Sequence, residues 1–176
     1  MAPDVHVHIR RCLPGDMARL SELARSTYRK QFAHLWTEAG FNTFLDQQFD
    51  AGRMAEDLSG DTVRFHFAEE AGSVVGYSKL VFNRRPPASE LPPGVELEKI
   101  YFTPAAIGRG LGGQLIDHGI EQAANAGAPV VWLDVLKTND RAQRAYMKRG
   151  FQIVGDIPFS TDTADIGFWV MARRLG

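Results

Sequence analysis

Two stretches of this 176-residue chain combine side chains and spacings that suit chemistry. The first, Ile107-Gly108-Arg109-Gly110-Leu111-Gly112-Gly113-Gln114-Leu115, holds four glycines within six positions and runs straight into a helical pattern. A glycine-rich entry to a helix leaves backbone N–H groups unshielded by any Cβ, and the helix dipole adds a positive potential, so the junction suits a phosphate-like anion. Arg109 can add a charge. The second stretch is Val95 to Phe102, in which Glu96 and Glu98 are two apart and therefore share one face of a strand. Such a pair can move a proton or hold a cationic substrate, or it can do no more than pair with Lys99 or Arg84. Asp134, at the end of an apolar run, is a third acid of this kind. Tyr146 shares a helical face with Ala142 and Arg149 and can either give a proton or fill the core.

The glycine turn admits several readings. Gly108, Gly110 and Gly113 satisfy G-x-G-x-x-G, and Asp134 lies 21 residues beyond Gly113, about where a dinucleotide site places its ribose-binding acid. Against this, Thr103 to Ile107 separate the strand from the first glycine, and too little chain follows for a doubly wound sheet. A Walker-type loop needs Lys-Ser/Thr after its last glycine, where this chain has Gln114-Leu115. A plain loop-to-helix junction leaves Gly112 and Gly113 unexplained, since each glycine inside a helix costs about 1 kcal/mol against alanine. The reading that explains them is a cradle for a pyrophosphate.

The elements that must position these residues follow from the patterning. Val5, Val7 and Ile9 alternate with polar neighbours as in a half-buried strand, and His6 and His8 have no acid or cysteine nearby to complete a metal site. Pro14 to Phe32 reads as a helix with Leu20, Leu23, Ala24 and Tyr28 inward, and Thr37 caps a second with Phe41, Phe44, Leu45 and Phe49 on one side. A loop through Gly60 follows. Two β-rich runs then flank Ala71-Gly72, a hairpin signal. A Pro-rich loop leads to the Glu96 strand, the glycine turn and a helix stopped by Gly127 and Pro129. Val130 to Val135 reads as a buried strand, Asn139 caps a helix closed by Gly150, and two more strands end the chain. The order β-α-α-β-β-β-α-β-α-β-β predicts an α/β fold over residues 1–176 as one domain: a mixed, mostly antiparallel sheet flanked by helices, with one β-α-β crossover.

Composition narrows the function. Hydrophobic residues make up 44% and charged residues 23%, as in ordinary globular domains. Twenty basic residues against 21 acidic ones give no field to collect nucleic acid or an anionic membrane, so a small-molecule partner is expected. The single cysteine, Cys12, permits no internal disulfide and no cysteine cage for a metal. With neither a signal peptide pattern nor an apolar run of membrane-spanning length, a cytoplasmic location is expected.

Taken together, the residues from about Val63 to Leu175 resemble the GCN5-related N-acetyltransferase family. The match lies in the cofactor motif Gln/Arg-x-x-Gly-x-Gly/Ala after a strand, aligned here with Ile107 to Gly112, and in Val130 to Val135, Asn139, Tyr146 and Gly150-Phe151. Ile107 departs from the motif, where Gln or Arg is usual, which implies modestly weaker cofactor binding. The resemblance implies acetyl-CoA as cosubstrate and no metal. It implies cofactor contacts along Ile100, Tyr101 and Phe102, through Ile107, Gly108, Arg109, Gly110, Leu111, Gly112 and Gly113, and at Asn139 and Tyr146. Glu96 falls where the histone-acetylating branch keeps its general base, Tyr146 where the acid that protonates the departing thiolate stands, and Asp134 where relatives acting on protein N-termini carry a glutamate. A homodimer is common among such proteins. The paired acids Glu96 and Glu98, in a stretch set against Leu-Glu-x-Glu-x-Ile-Tyr, the segment from Ser26 to Phe41 and the tail from Asp162 to Leu175 are also similar to PaiA-type polyamine acetyltransferases, for which an acidic pocket of Glu96, Glu98 and Asp134, walled by Tyr28, Phe32, Trp36 and Phe41, would suit a polyamine. It would equally suit a protein α-amine or an aminoglycoside. A catalytically silent acyl-CoA-binding module is the reading from another class.

Overall fold

The computed structural model describes residues 6–176; Val5, assigned above to the first strand, lies outside the described residues. Strand β1, His8–Arg11, is followed by a 3-10 turn at Pro14–Asp16 and helix α1, Met17–Phe32. The Asp16 carboxylate accepts from the Leu13 N–H at 2.8 Å and from Arg10 at 2.9 Å, which fixes where α1 starts. Helix α2, Glu38–Gln48, is capped as expected, with the Thr37 hydroxyl accepting from the Gly40 N–H at 3.2 Å.

The structure then departs from the sequence reading. Instead of a plain loop before Gly60, residues Ala51–Ser59 form helix α3, whose N-cap Asp50 accepts from the Arg53 N–H at 2.8 Å. Met54 and Leu58, one turn apart, are its only buried residues, too few to stand out as a period. The order is thus β-α-α-α-β-β-β-α-β-α-β-β.

Strands β2, Val63–Glu70, and β3, Ser73–Arg84, form the hairpin, turning on Ala71 (φ 48°) and Gly72 (φ 79°). Strand β4, Gly94–Phe102, helix α4, Leu111–Asn125, and strand β5, Val130–Leu136, make the crossover. Helix α5, Asp140–Met147, and strands β6, Gln152–Ile157, and β7, Phe168–Arg174, complete the chain. The sheet runs β1-β2-β3-β4-β5-β7-β6, with β4 and β5 its one parallel pair. Helices α1 to α3 bury Leu20, Phe41, Leu45 and Met54 against Phe65, Phe67 and Tyr77 on one face. On the other, α4 and α5 pack over Leu80, Leu97, Leu133 and Met171, and Gly119 lets α4 lie against Leu97, which any side chain would strike.

Two features of β4 create the site. Its pairing with β5 is confined to Val95↔Val131 and Glu96↔Trp132, and bare Gly94 permits that close approach at the start. Beyond Glu96 the strands part, and a gap opens in the middle of the sheet. On the β3 side, Lys79 is opposite Lys99 but Leu80 is opposite Leu97, so Glu98 is the extra residue of a β-bulge. The bulge resets the alternation. Leu97, Ile100 and Phe102 join the clusters under α4, whereas Glu98, Lys99 and Tyr101 turn towards α1 and α2.

Candidate active site

At the helix end of the gap the glycine turn adopts the predicted form. Gly108 (φ 85°) and Gly110 (φ 78°) are left-handed, and Gly110 is the N-cap of α4. Gly112 has no such conformation, and a Cβ there would meet only the Phe102 ring at 4.0 Å. Nothing inside the protein requires it to be bare; it lines a groove of about 710 Å³ together with Ile100, Tyr101, Phe102, Ile107, Gly108, Gly110, Leu111 and Gly113. A cradle that a side chain would fill, at the positive end of a helix, fits a pyrophosphate. The groove's rim carries Lys30, Arg141, Arg144, Lys148 and Arg149, a basic set the sequence reading passed over. Its signal was the recurrence of Arg141, Arg144 and Lys148 at three and four along one face of α5. Arg149 lies across bare Gly113 and pairs with Asp117 at 2.7 Å. Arg109, expected to add charge here, is instead held by Glu70 at 2.8 and 2.5 Å and does not line the groove. That partner is 39 residues away and invisible to local pattern.

On the other side of the gap lies a second cavity of about 410 Å³. Tyr28, Phe32 and Trp36 wall it as expected, with Phe44, whereas Phe41 is 1% exposed and belongs to the core. Phe159 of the β6–β7 loop and Phe168 at the start of β7 close it, a contribution not foreseen. That loop is moored to the connection between α1 and α2, for Asp162 accepts from the Thr37 N–H at 2.9 Å and the Thr163 hydroxyl donates to the Leu35 carbonyl at 2.6 Å. Tyr146, Asn139, Ile100 and Tyr101 line both cavities, so the two meet there. Asn139 also caps α5, accepting from the Ala142 N–H at 3.2 Å.

Glu96 and Glu98 do share a face, since one nitrogen of Arg84 donates to both, at 2.5 and 3.1 Å. They do not form a bare acidic surface. Glu98 is also paired with Lys79 and Lys99, each at 3.3 Å, and Lys79 with Asp57 at 3.2 Å. The bulge is the reason, because it turns Lys99 to the side of the acids. The two carboxyls are consequently driven apart. Burial pushes Glu96 up to about 7, against its Arg84 hydrogen bond. Burial would raise Glu98 too, but Lys99, Lys79 and Arg84 outweigh it and hold that group at about 2. Asp134 is raised by burial and has no hydrogen bond or ion pair with the described residues. Burial, then the Asp134 charge, lifts Tyr146 to about 12, so its phenol keeps a proton at neutral pH. Two acids of one strand whose titrations are driven far apart, beside a protonated phenol, can serve as an acid–base set.

An anion cradle that opens through a sheet gap onto such a set defines a group-transfer enzyme with a phosphate-bearing donor. The sequence model of the acetyltransferase (GNAT) family matches residues 19–151. An uncharacterized N-acetyltransferase of Mycobacterium tuberculosis (strain ATCC 25618 / H37Rv) is 34% identical over 133 residues, which span 76% of this chain and 81% of the relative. Among solved structures, a PaiA N-acetyltransferase from Thermoplasma acidophilum in complex with coenzyme A superposes with a TM-score of 0.74 at 18% identity, over 96% of this chain and 99% of that one. YncA, a putative acetyltransferase from Salmonella typhimurium with acetyl-CoA, gives 0.68 at 22%, over 97% and 95%. The chain belongs to the GNAT family and is an N-acetyltransferase. Among the described residues, no helix is long and apolar enough to cross a membrane.

Proposed function

We propose that the protein moves the acetyl group of acetyl-CoA onto a small primary amine by direct attack. The observation that carries this is the meeting of the two cavities at Tyr146 and Asn139, with the glycine cradle and basic rim on one side and Glu96 on the other. Bound acetyl-CoA supplies an activated acetyl thioester. The N–H groups at the start of α4 hold its pyrophosphate, the basic face of α5 meets its remaining phosphate charge, and the edge of β4 that parts from β5 offers backbone groups to an extended chain. Glu96, poised near neutrality, takes the proton from the amine as the N–C bond forms. Tyr146 gives its proton to the sulfur as the C–S bond breaks. Glu98 takes no part in proton transfer; it holds Arg84, Lys79 and Lys99 in place. Because cations inside the protein already neutralise the acids, these residues handle protons rather than collect a polyamine, the acceptor that Glu96 and Glu98 favour when read as sequence.

The test is release of CoA thiol from acetyl-CoA across a panel of spermidine, spermine, amino acids, aminoglycosides and peptides with free N-termini. Turnover with a small amine is the expected result. Thermal stabilisation by acetyl-CoA without turnover would favour a silent binding module, and the absence of both would remove the cofactor assignment.

A further inference from the structure

We infer that the acceptor is zwitterionic: a small primary amine that also bears an oxyanion such as a carboxylate, with its ammonium end beside Asp134 and its anionic end on Arg53. This rests on the acetyl transfer proposed above and names its substrate class.

Among the carboxylate, lysine and arginine side chains lining the acceptor cavity, Lys79, Arg84, Glu96, Glu98 and Lys99 satisfy one another through contacts of 2.5 to 3.3 Å. Two do not. The Asp134 carboxylate forms no hydrogen bond or ion pair with a described residue, and the guanidinium of Arg53 forms none either, the bond to the Asp50 cap being donated by the Arg53 backbone N–H. One unmatched anion and one unmatched cation face the same cavity of about 410 Å³. They stand at different depths. Asp134, on β5, lines the cavity together with Tyr146, where the two cavities meet, so an amine beside it is on the side of the acetyl donor. Arg53 is exposed on α3, at the edge of the lining. An amine alone would leave Arg53 unanswered. A polyamine would place further ammonium groups beside Arg53, Lys79, Arg84 and Lys99, whose charge Glu96, Glu98, Asp134 and Asp57 only balance, so no surplus of negative charge rewards the extra ammonium groups. The planar fork of an arginine is matched to a carboxylate or a similar oxyanion.

The experiment is steady-state acetylation of matched acceptors by the full chain: 4-aminobutanoate against butylamine, leucine against leucinamide, and spermidine as the polycation. In at least one pair the anion-bearing member is expected to have the higher kcat/KM by about tenfold or more, chiefly through KM. Arg53→Gln removes that preference, and Arg53→Glu inverts it towards the anion-free member. Arg53 is exposed and its cap bond is made by the backbone, so these variants keep the fold; thermal stabilisation by acetyl-CoA serves as the control. Equal or better turnover of spermidine and the anion-free members, or a preference that Arg53→Glu leaves in place, overturns the inference while acetyl transfer stands. Absence of turnover with every amine, despite acetyl-CoA binding, overturns the transfer itself and this inference with it.

Discussion

Glu96 and Glu98 sit two residues apart on one strand and share one arginine, yet their environments assign them opposite tasks. Glu96 is 4% exposed with Arg84 as its one ion-pair partner among the described residues, and burial raises it to about 7; Glu98 sits under three cations and stays ionised. Glu96→Gln is therefore expected to lower kcat/KM at pH 7.5 by about 10²–10⁴-fold and to abolish the rise of the pH profile through about 7, read from initial rates between pH 5.5 and 9. A surviving limb would transfer the base to Asp134. Tyr146→Phe keeps the ring's edge-on packing against Phe151, at 5.8 Å between centroids, and removes only the proton. Its kcat should fall by about 10²-fold or more, with the KM for acetyl-CoA little changed, because the lost interaction is made as the thiolate departs. The identity of these residues was legible in the sequence; their protonation states were not. Pairing with Arg84 and Lys99 was foreseen, but which acid takes most of the positive charge depends on Lys79 and on the bulge at Glu98, and both follow from the β3–β4 register.

At the scale of elements, the cradle was read from glycines inside a helix, where each has a cost, and Gly112 is the one that internal packing leaves unexplained, whereas Gly113 and Gly119 make room for Arg149 and Leu97. A Cβ at Gly112 makes one ordinary contact, with Phe102 at 4.0 Å, in a backbone conformation any residue adopts. Gly112→Ala should therefore leave the unfolding temperature of the free protein unchanged or raise it by about 2–4 °C, while weakening acetyl-CoA binding by about tenfold or more. Thermal melts with and without ligand separate the two effects. A fall in both would make Gly112 a packing residue, and a fall in neither would place the anion elsewhere. Helix α3 and the bulge were not legible, for related reasons. The helix has only Met54 and Leu58 to show an inward face, and the bulge leaves the run from Val95 to Phe102 looking like ordinary alternation. Both bear on the acceptor side: α3 contributes Arg53, and the bulge turns Lys99 into the cavity wall.

The whole molecule divides its titrations between the two faces of the sheet. Glu96 faces α1 and α2. On the opposite face, β2 presents His66 to His118 of α4, with ring centroids 4.5 Å apart, and neither His66 Nδ1 nor His118 Nε2 has a hydrogen-bond partner among the described residues. Burial, then the charge of His118 and the nearby Arg11 and Arg64, depress His66 to about 4. An unfolded histidine titrates near 6.5, so between that value and about 4 the unfolded chain binds the extra proton. The contribution of this group to stability accordingly falls as pH drops through this window and levels off below it, by an amount on the order of 3 kcal/mol. Glu96, raised from 4.5 to about 7, pulls the other way between those values, so the histidine is read from the difference between the wild type and His66→Phe. Urea unfolding of both at pH 7.5, 6, 5 and 4.5 should show that difference moving in favour of the variant as pH falls, with the activity limb near pH 7 left in place. A difference that does not change with pH would mean that the buried pair finds room for its proton. Because the stability loss lies below the Glu96 titration and on the other side of the sheet, acid should silence the enzyme before it unfolds it.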